Sequence, residues 1–235
     1  MTSKTIAILA AGEFPRKEAV LRLLDEADMI VCCDSAADHL VASGREPSLI
    51  VGDLDSLSND LRAQFSDRLR HFDGQDDNDL TKAFHVAMEF DPSVIHILGA
   101  TGRREDHTLG NISLLAEYQK EAGCVLRGSD NGSLRGTRGC EIHEGAPGCE
   151  IDLVSDWGRF VAASGERTFA STPGQEISIF AFDPALRMRA AGLDYPLDVV
   201  VFDSLWKAFL NRASGSEFTL TPNRDTFYLV YFCGC

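Results

Sequence analysis

The chain has 235 residues, enough for two ordinary domains, and its 44% hydrophobic and 25% charged residues are the usual globular mixture. Its formal net charge of −14, with arginine and lysine scattered singly or in pairs, sets it against nucleic acid and anionic membrane surfaces as partners. No stretch reaches the ~18 apolar residues of a membrane span, and the run 5–11 is too short for a signal-peptide core, so the expected location is cytoplasmic.

In chain order, the apolar runs 5–11, 29–33, 49–52, 94–98 and 124–126 read as buried strands. Helix-like stretches separate them. Ala19, Val20, Leu23, Leu24 and Ala27 repeat at helical spacing, as do Ala83, Val86, Ala87 and Phe90, and less cleanly Ile112, Leu115, Ala116 and Tyr118. Strand–helix alternation with near-continuous apolar strands predicts an α/β N-terminal domain over residues 1–130 with a mostly parallel sheet. Ligands of such sheets sit beyond the carboxyl ends of the strands. A Gly- and polar-rich linker is expected over 128–139. Beyond it the runs 159–163, 176–182, 198–202 and 226–232 read as strands broken by Gly, Pro, Asn and Ser, while 205–212 suits helix or strand. The pattern predicts a smaller all-β sandwich domain over 136–235.

The seven cysteines, at 32, 33, 124, 140, 149, 233 and 235, contain no Cys-x-x-Cys pair. Their odd number reads as reduced thiols rather than a disulfide framework, with Cys32 and Cys33 as small core residues.

Three loops after apolar runs carry the chemistry. Asp53 and Asp55 stand in Val51-Gly-Asp-Leu-Asp-Ser56, and Asp34 follows the run 29–33. Carboxylates at i and i+2 point the same way if the chain leaves its strand extended, and a hard divalent cation relieves their repulsion. A solvated, capped turn is the competing reading. Next, acidic residues open a helix in Gln75-Asp-Asp-Asn-Asp-Leu-Thr-Lys-Ala83, with Asn78 as N-cap. There Asp79 and Lys82 share a helix face, pairing a metal-suited carboxylate with a phosphate-suited ammonium. The third string, Gly99-Ala-Thr-Gly-Arg-Arg-Glu-Asp-His-Thr-Leu-Gly-Asn111, joins glycines and arginines behind a strand as in a phosphate-binding loop, but is no Walker A. A helix starting near Asp106 would put His107 and Asn111 on one face, and His107 reads as structural.

These strings resemble the thiamine pyrophosphokinase family in order and spacing: Gly52-Asp-Leu-Asp-Ser56, Gln75-Asp-Asp-Asn-Asp79 with Lys82-Ala83, and Gly102-Arg-Arg-Glu-Asp-His107 with Asn111. Asp34 and the string Ala191-Gly-Leu-Asp-Tyr-Pro-Leu197 are also similar to family signatures. The resemblance implies a homodimer with active sites between subunits, magnesium (Mg2+), and pyrophosphoryl transfer from ATP to the hydroxyl of thiamine, leaving AMP. It implies Asp53, Asp55 and Asp79 as metal ligands, and Asp34 and Asp106 near metal or substrate. Gln75, Lys82 and Arg103 would then face phosphate oxygens, Asn111 would support its loop, and Ser214 and Ser216 would contact thiamine. Asn78 stands where the family has Thr or Ser, and the family's Ser-Asn pair is not intact near Ser214-Gly-Ser-Glu-Phe218. Trp206, Phe209 and Phe218 offer aromatic material nearby, with Trp206 expected in the sandwich core.

Two other readings stay open from the residues. Asp53-Leu-Asp55-Ser56 also resembles a haloacid-dehalogenase-type phosphatase with Asp53 as covalent nucleophile. A non-catalytic nucleotide sensor on the same fold is the third.

Overall fold

A computed structural model describes residues 4–72, 77–125 and 148–234, with the backbone alone for 124 and 125. The chain divides into two compact units, Met1–Ser155 and Asp156–Cys235.

The first unit alternates strand and helix: β1 (Thr5–Leu9), α1 (Glu18–Asp25), β2 (Met29–Cys33), α2 (Ala36–Ala42), β3 (Leu49–Gly52), α3 (Asn59–Gln64), β4 (Leu69–His71), α4 (Asp79–Met88), β5 (Val94–Leu98), α5 (Glu105–Val125) and β6 (Glu150–Ser155). The strands lie in the order β6-β5-β1-β2-β3-β4, and every pair is parallel. The chain therefore steps outward from β1 to β4, then returns to lay β5 on the other side of β1. That reversal is a topological switch point, and it opens a crevice at the carboxyl ends of β1 and β5.

Alternation along the strands buries both faces. On one, Val20 and Leu24 of α1 and Ala36, Ala37 and Leu40 of α2 pack with Ala7, Leu9, Cys32 and Ile50. Helices α4 and α5 pack against the sheet as well. They meet through Phe84 and Tyr118, stacked at 4.2 Å, and the buried Tyr118 hydroxyl is satisfied by Thr81 Oγ1 at 2.8 Å. Asn78 caps α4 as expected, its side chain accepting from Thr81 N–H at 2.9 Å, and Ser58 caps α3 by accepting from Leu61 N–H.

Some expectations are corrected. The run 124–126 was expected as a strand, but α5 continues unbroken to Val125; three apolar residues are too few to fix a period. β1 stops at Leu9 rather than 11. The first unit extends to Ser155, beyond 130 and past the expected start of the second at 136, because β6 adds in parallel to β5. The expected linker 128–139 and Gln75 lie outside the described residues.

The second unit is the smaller antiparallel sandwich: β7 (Gly158–Ala163), β8 (Arg167–Ala170), β9 (Glu176–Ala181), β10 (Met188–Ala191), β11 (Ala208–Arg212), β12 (Glu217–Pro222) and β13 (Tyr228–Cys233). Strands β11-β9-β13-β7 form one layer and β10-β12-β8 the other. Ile177, Ile179, Leu220, Phe218, Tyr228 and Val230 fill the space between. The segment 198–202 forms turns instead of the expected strand: Val200 N–H bonds back to Leu197 O at 3.0 Å, and Leu197 and Phe202 are buried while Val199 and Val201 are exposed. Trp206 is 64% exposed, not core. No helix among the described residues is long and apolar enough to cross a membrane.

Candidate active site

The acidic residues meet where β2, β3 and α4 end or begin. Asp34 directly follows β2, continues its ladder by donating N–H to Val51 O at 2.9 Å, and turns the chain into α2 with φ 26°. Aspartate tolerates that left-handed conformation better than most residues. Across from it, Gly52 closes β3. A Cβ there would stand 3.1 Å from Asp34 Cβ and 3.5 Å from Asp79 Oδ1, so glycine is what lets the three elements converge.

The chain then bends at Leu54, with φ 62°. The conformation costs about 1–2 kcal/mol for a residue with a side chain. Burial of the Leu54 side chain in the core offsets this by about 1.5–3 kcal/mol. This bend, rather than an extended exit, aims Asp53 and Asp55. Asp53 Oδ1 accepts the Asp55 N–H at 3.2 Å, and Arg62 on α3 donates to Leu54 O. Sequence reasoning missed Arg62, since nothing in a lone surface arginine marks it as a clamp.

As a result, one carboxylate oxygen from each of Asp34, Asp53 and Asp55 lies within 4.8 Å of the others. Asp34 Oδ2 accepts Ser56 N–H at 3.1 Å, and Ser56 Oγ donates to Asp55 Oδ1 at 3.0 Å. Asp34 Oδ1 is buried with no hydrogen-bond partner among the described residues. An orphaned buried acceptor is costly, and a divalent cation would satisfy it. Neighbouring oxygens on an octahedral magnesium lie about 3 Å apart, and three carboxylate oxygens already gathered within 4.8 Å suit such an ion in number and chemistry.

Electrostatics separates the three. Burial, with the negative charges of Asp53, Asp79 and Asp55, pushes the Asp34 carboxyl above its ordinary value, against the lowering pull of the Ser56 N–H. Asp53 is held below the ordinary value by the Asp55 hydrogen bonds, aided by the charge of Lys82. Lys82 is 8% exposed, and its ammonium donates to Asp79 Oδ1 at 3.1 Å, as the i, i+3 spacing suggested. Asp79 thus stands at the margin of the cluster, paired with a cation.

The remaining expected residues are placed as follows. Asp106 lies outside the three-carboxylate group; Arg104 binds it through two hydrogen bonds, at 2.6 and 3.1 Å, and together with the His107 N–H pulls its carboxyl down to about 2. Arg103 donates to Ala11 O at 3.1 Å and to His39 Nε2 at 2.9 Å. Asn111 Nδ2 donates to Ala100 O at 2.8 Å, bracing the loop after β5. His107 is exposed on α5. In the second unit, Ser214 and Ser216 are exposed in the turn between β11 and β12. Their backbones are fixed: Ser214 N–H donates to Gly192 O at 2.9 Å, and Ser216 O accepts from Ser171 N–H at 2.8 Å. Buried Asn211, which sequence reasoning passed over, holds the string 191–197 by donating to Tyr195 O at 2.8 Å and accepting Tyr195 N–H at 3.0 Å.

The chain thus joins a parallel α/β unit, with a carboxylate rim beside a buried lysine, to an antiparallel sandwich that follows it in sequence. Residues 20–126 match the model of the thiamin pyrophosphokinase catalytic domain, and residues 158–231 that of the thiamin pyrophosphokinase substrate-binding domain. The chain belongs to the thiamin pyrophosphokinase family. It is 34% identical over 116 residues to the thiamine pyrophosphokinase of Bacillus subtilis (strain 168), a match covering 48% of this chain and 54% of that relative, about half its length. Its fold is similar to the crystal structure of thiamine pyrophosphokinase from Bacillus subtilis, at TM-score 0.74 and 22% identity over 98% of this chain and 99% of that one. It is also similar to thiamin pyrophosphokinase from Candida albicans, at TM-score 0.72 and 14% identity over 99% and 94% of the two chains. Neither the phosphatase nor the sensor reading is favoured by these matches.

Proposed function

We propose that the chain transfers the pyrophosphoryl group of ATP to the hydroxyl of thiamine, giving thiamine diphosphate and AMP. The observation that carries this reading is the convergence of Asp34, Asp53 and Asp55, with one buried Asp34 oxygen unpartnered among the described residues, in a chain of this family. Asp34, Asp53 and Asp55 hold magnesium, with Asp79 at the edge of its site. When bound, the ion offsets charge on the phosphate oxygens. Lys82, kept in place by Asp79, presents its ammonium to the transferred phosphates. Arg103 and Gln75 face phosphate oxygens as well, and Asn111 keeps the loop after β5 in position.

In the reaction the thiamine hydroxyl oxygen bonds to the β-phosphorus, the bond from that phosphorus to the α-phosphate oxygen breaks, and AMP leaves with the electron pair. One of the clustered carboxylates accepts the hydroxyl proton. Such transfers depend mainly on positioning and charge neutralisation, which is what a fixed carboxylate rim and a buried lysine supply. Asp106 orders the arginine loop through Arg104. Ser214 and Ser216 contact thiamine, and the chain works as a cytoplasmic homodimer. The test is chromatography of the products from ATP, magnesium and thiamine: release of AMP that depends on both thiamine and magnesium supports the reading, and ADP or free phosphate in its place refutes it.

A further inference from the structure

Between β3 and α3 the chain carries two of the three clustered acids, and most of its groups are tied down. Asp53 Oδ1 accepts the Asp55 N–H at 3.2 Å, and Ser56 N–H reaches across to Asp34 Oδ2 at 3.1 Å. The Leu54 and Leu57 side chains are buried in the core, and Ser58 caps α3 through Leu61 N–H. The Leu54 carbonyl belongs to neither ladder, because it lies beyond the last residue of β3 and before the first of α3. On a residue this buried, a carbonyl without a donor is costly. Arg62, one turn into α3, supplies the donor through its guanidinium.

Leu54 stands between Asp53 and Asp55, so the plane of its peptide sets the angle at which the second acid leaves the chain. Its backbone is left-handed, with φ 62°, a conformation that a residue with a side chain leaves readily unless something holds it. Asp55 itself is exposed, and its side chain meets Ser56 Oγ at 3.0 Å, within the same loop. The bond from Arg62 therefore anchors that acid to α3.

The anchoring matters because hard cations differ in what they accept. Magnesium demands near-ideal octahedral geometry with oxygens at about 2.0–2.1 Å, whereas calcium takes about six to eight oxygens at about 2.3–2.6 Å in a flexible arrangement. A loop that cannot spread favours the smaller ion. One that can spread loses the distinction.

We infer that Arg62 is a positioning residue that sets the preference of the acidic site for magnesium over calcium. It acts through the Leu54 carbonyl rather than on the ion, holding Asp53 and Asp55 at their close spacing. The inference rests on the metal site proposed above and adds the residue that makes it selective. Charge has a separate effect. Arg62 is a cation beside a loop of acids, so its removal alone strengthens the hold on either divalent ion to a similar extent. That effect cancels from the ratio of the two affinities, which reports the geometry.

Competition of Mg2+ and of Ca2+ against Mn2+, followed by electron paramagnetic resonance of the whole chain without ATP or thiamine, measures that ratio and needs no turnover. Arg62→Met removes the donor and should lower the preference for magnesium about tenfold, the scale of losing a residue that orients a metal ligand. Arg62→Lys retains a donor and should keep most of the preference. Both substitutions fall on an exposed position of α3 and bring good helix formers, so the fold is kept. An unchanged ratio in Arg62→Met overturns the inference, as does an equal weakening of both ions or a loss in Arg62→Lys as large as in Arg62→Met. A parent chain that binds magnesium keeps the proposed metal site whatever the variants do. A parent that takes up neither ion loses the site and the role of Arg62 together.

Discussion

The Ser56 backbone N–H donates to Asp34 Oδ2 at 3.1 Å, tying the chain that leaves β2 to the loop that leaves β3. The bond fixes one oxygen of Asp34 and leaves the other buried without a partner among the described residues, beside Asp53 and Asp55. A turn that only needed solvation would have no cause to bury an unpaired carboxylate oxygen.

Asp53→Asn and Asp55→Asn should each lower kcat/KM by at least about 100-fold, the scale of losing an ion that offsets transition-state charge. Thermal unfolding should stay close to the parent, because removing one of several mutually repelling acids does not cost packing. Steady-state kinetics with and without EDTA checks both points, and near-normal turnover in EDTA would contradict the assignment.

The parallel sheet was legible because its strands 29–33, 49–52 and 94–98 are unbroken apolar runs, and the structure forms β2, β3 and β5 on those residues. The acids were legible because they follow such runs. Less visible was the geometry that joins them. The bend at Leu54 depends on a buried leucine in a left-handed conformation, which no period announces. Strand β6 was hidden for a related reason: its Glu150–Ser155 carries a buried acid, Asp152, paired with His96 Nδ1 at 2.7 Å, and so does not read as an apolar strand. In the sandwich, β8 and β10 are short and carry arginines, too little signal to stand out.

Ser214→Ala and Ser216→Ala should each raise the KM for thiamine several-fold. One lost hydrogen bond to a neutral group costs about 0.5–1.5 kcal/mol. The KM for ATP should stay at the parent value. Neither hydroxyl is needed for the turn, whose backbone is held by Gly192 and Ser171, so unfolding should not shift. A double variant with the parent's thiamine KM would assign the turn a structural role alone.

Asn211 is buried and bonds to both backbone groups of Tyr195 while accepting the Arg212 N–H at 2.9 Å. Asn211→Ala strands these groups away from water and should cost about 2–4 kcal/mol of stability. Urea unfolding of the purified variant measures this, and a midpoint equal to the parent's would show that the string 191–197 holds itself.

The exposed aromatic surface of the second unit, with Phe209 against Phe180 at 4.9 Å and Trp206 and Leu210 close by in sequence and exposed, suits a subunit interface. Light scattering at micromolar concentration should report twice 25.7 kDa. Phe209→Glu should shift the mass toward the single chain, and a parent chain that is monomeric at full activity would exclude the homodimer.

In the proposed transfer two phosphorus atoms move together. ATP labelled at the β-phosphorus, incubated with the protein, magnesium and thiamine, tests this directly. The label should appear in thiamine diphosphate, on the phosphorus bonded to the thiamine oxygen, while unlabelled AMP accumulates in equal amount. Label retained in ADP, or thiamine recovered unmodified while ATP is consumed, would contradict it.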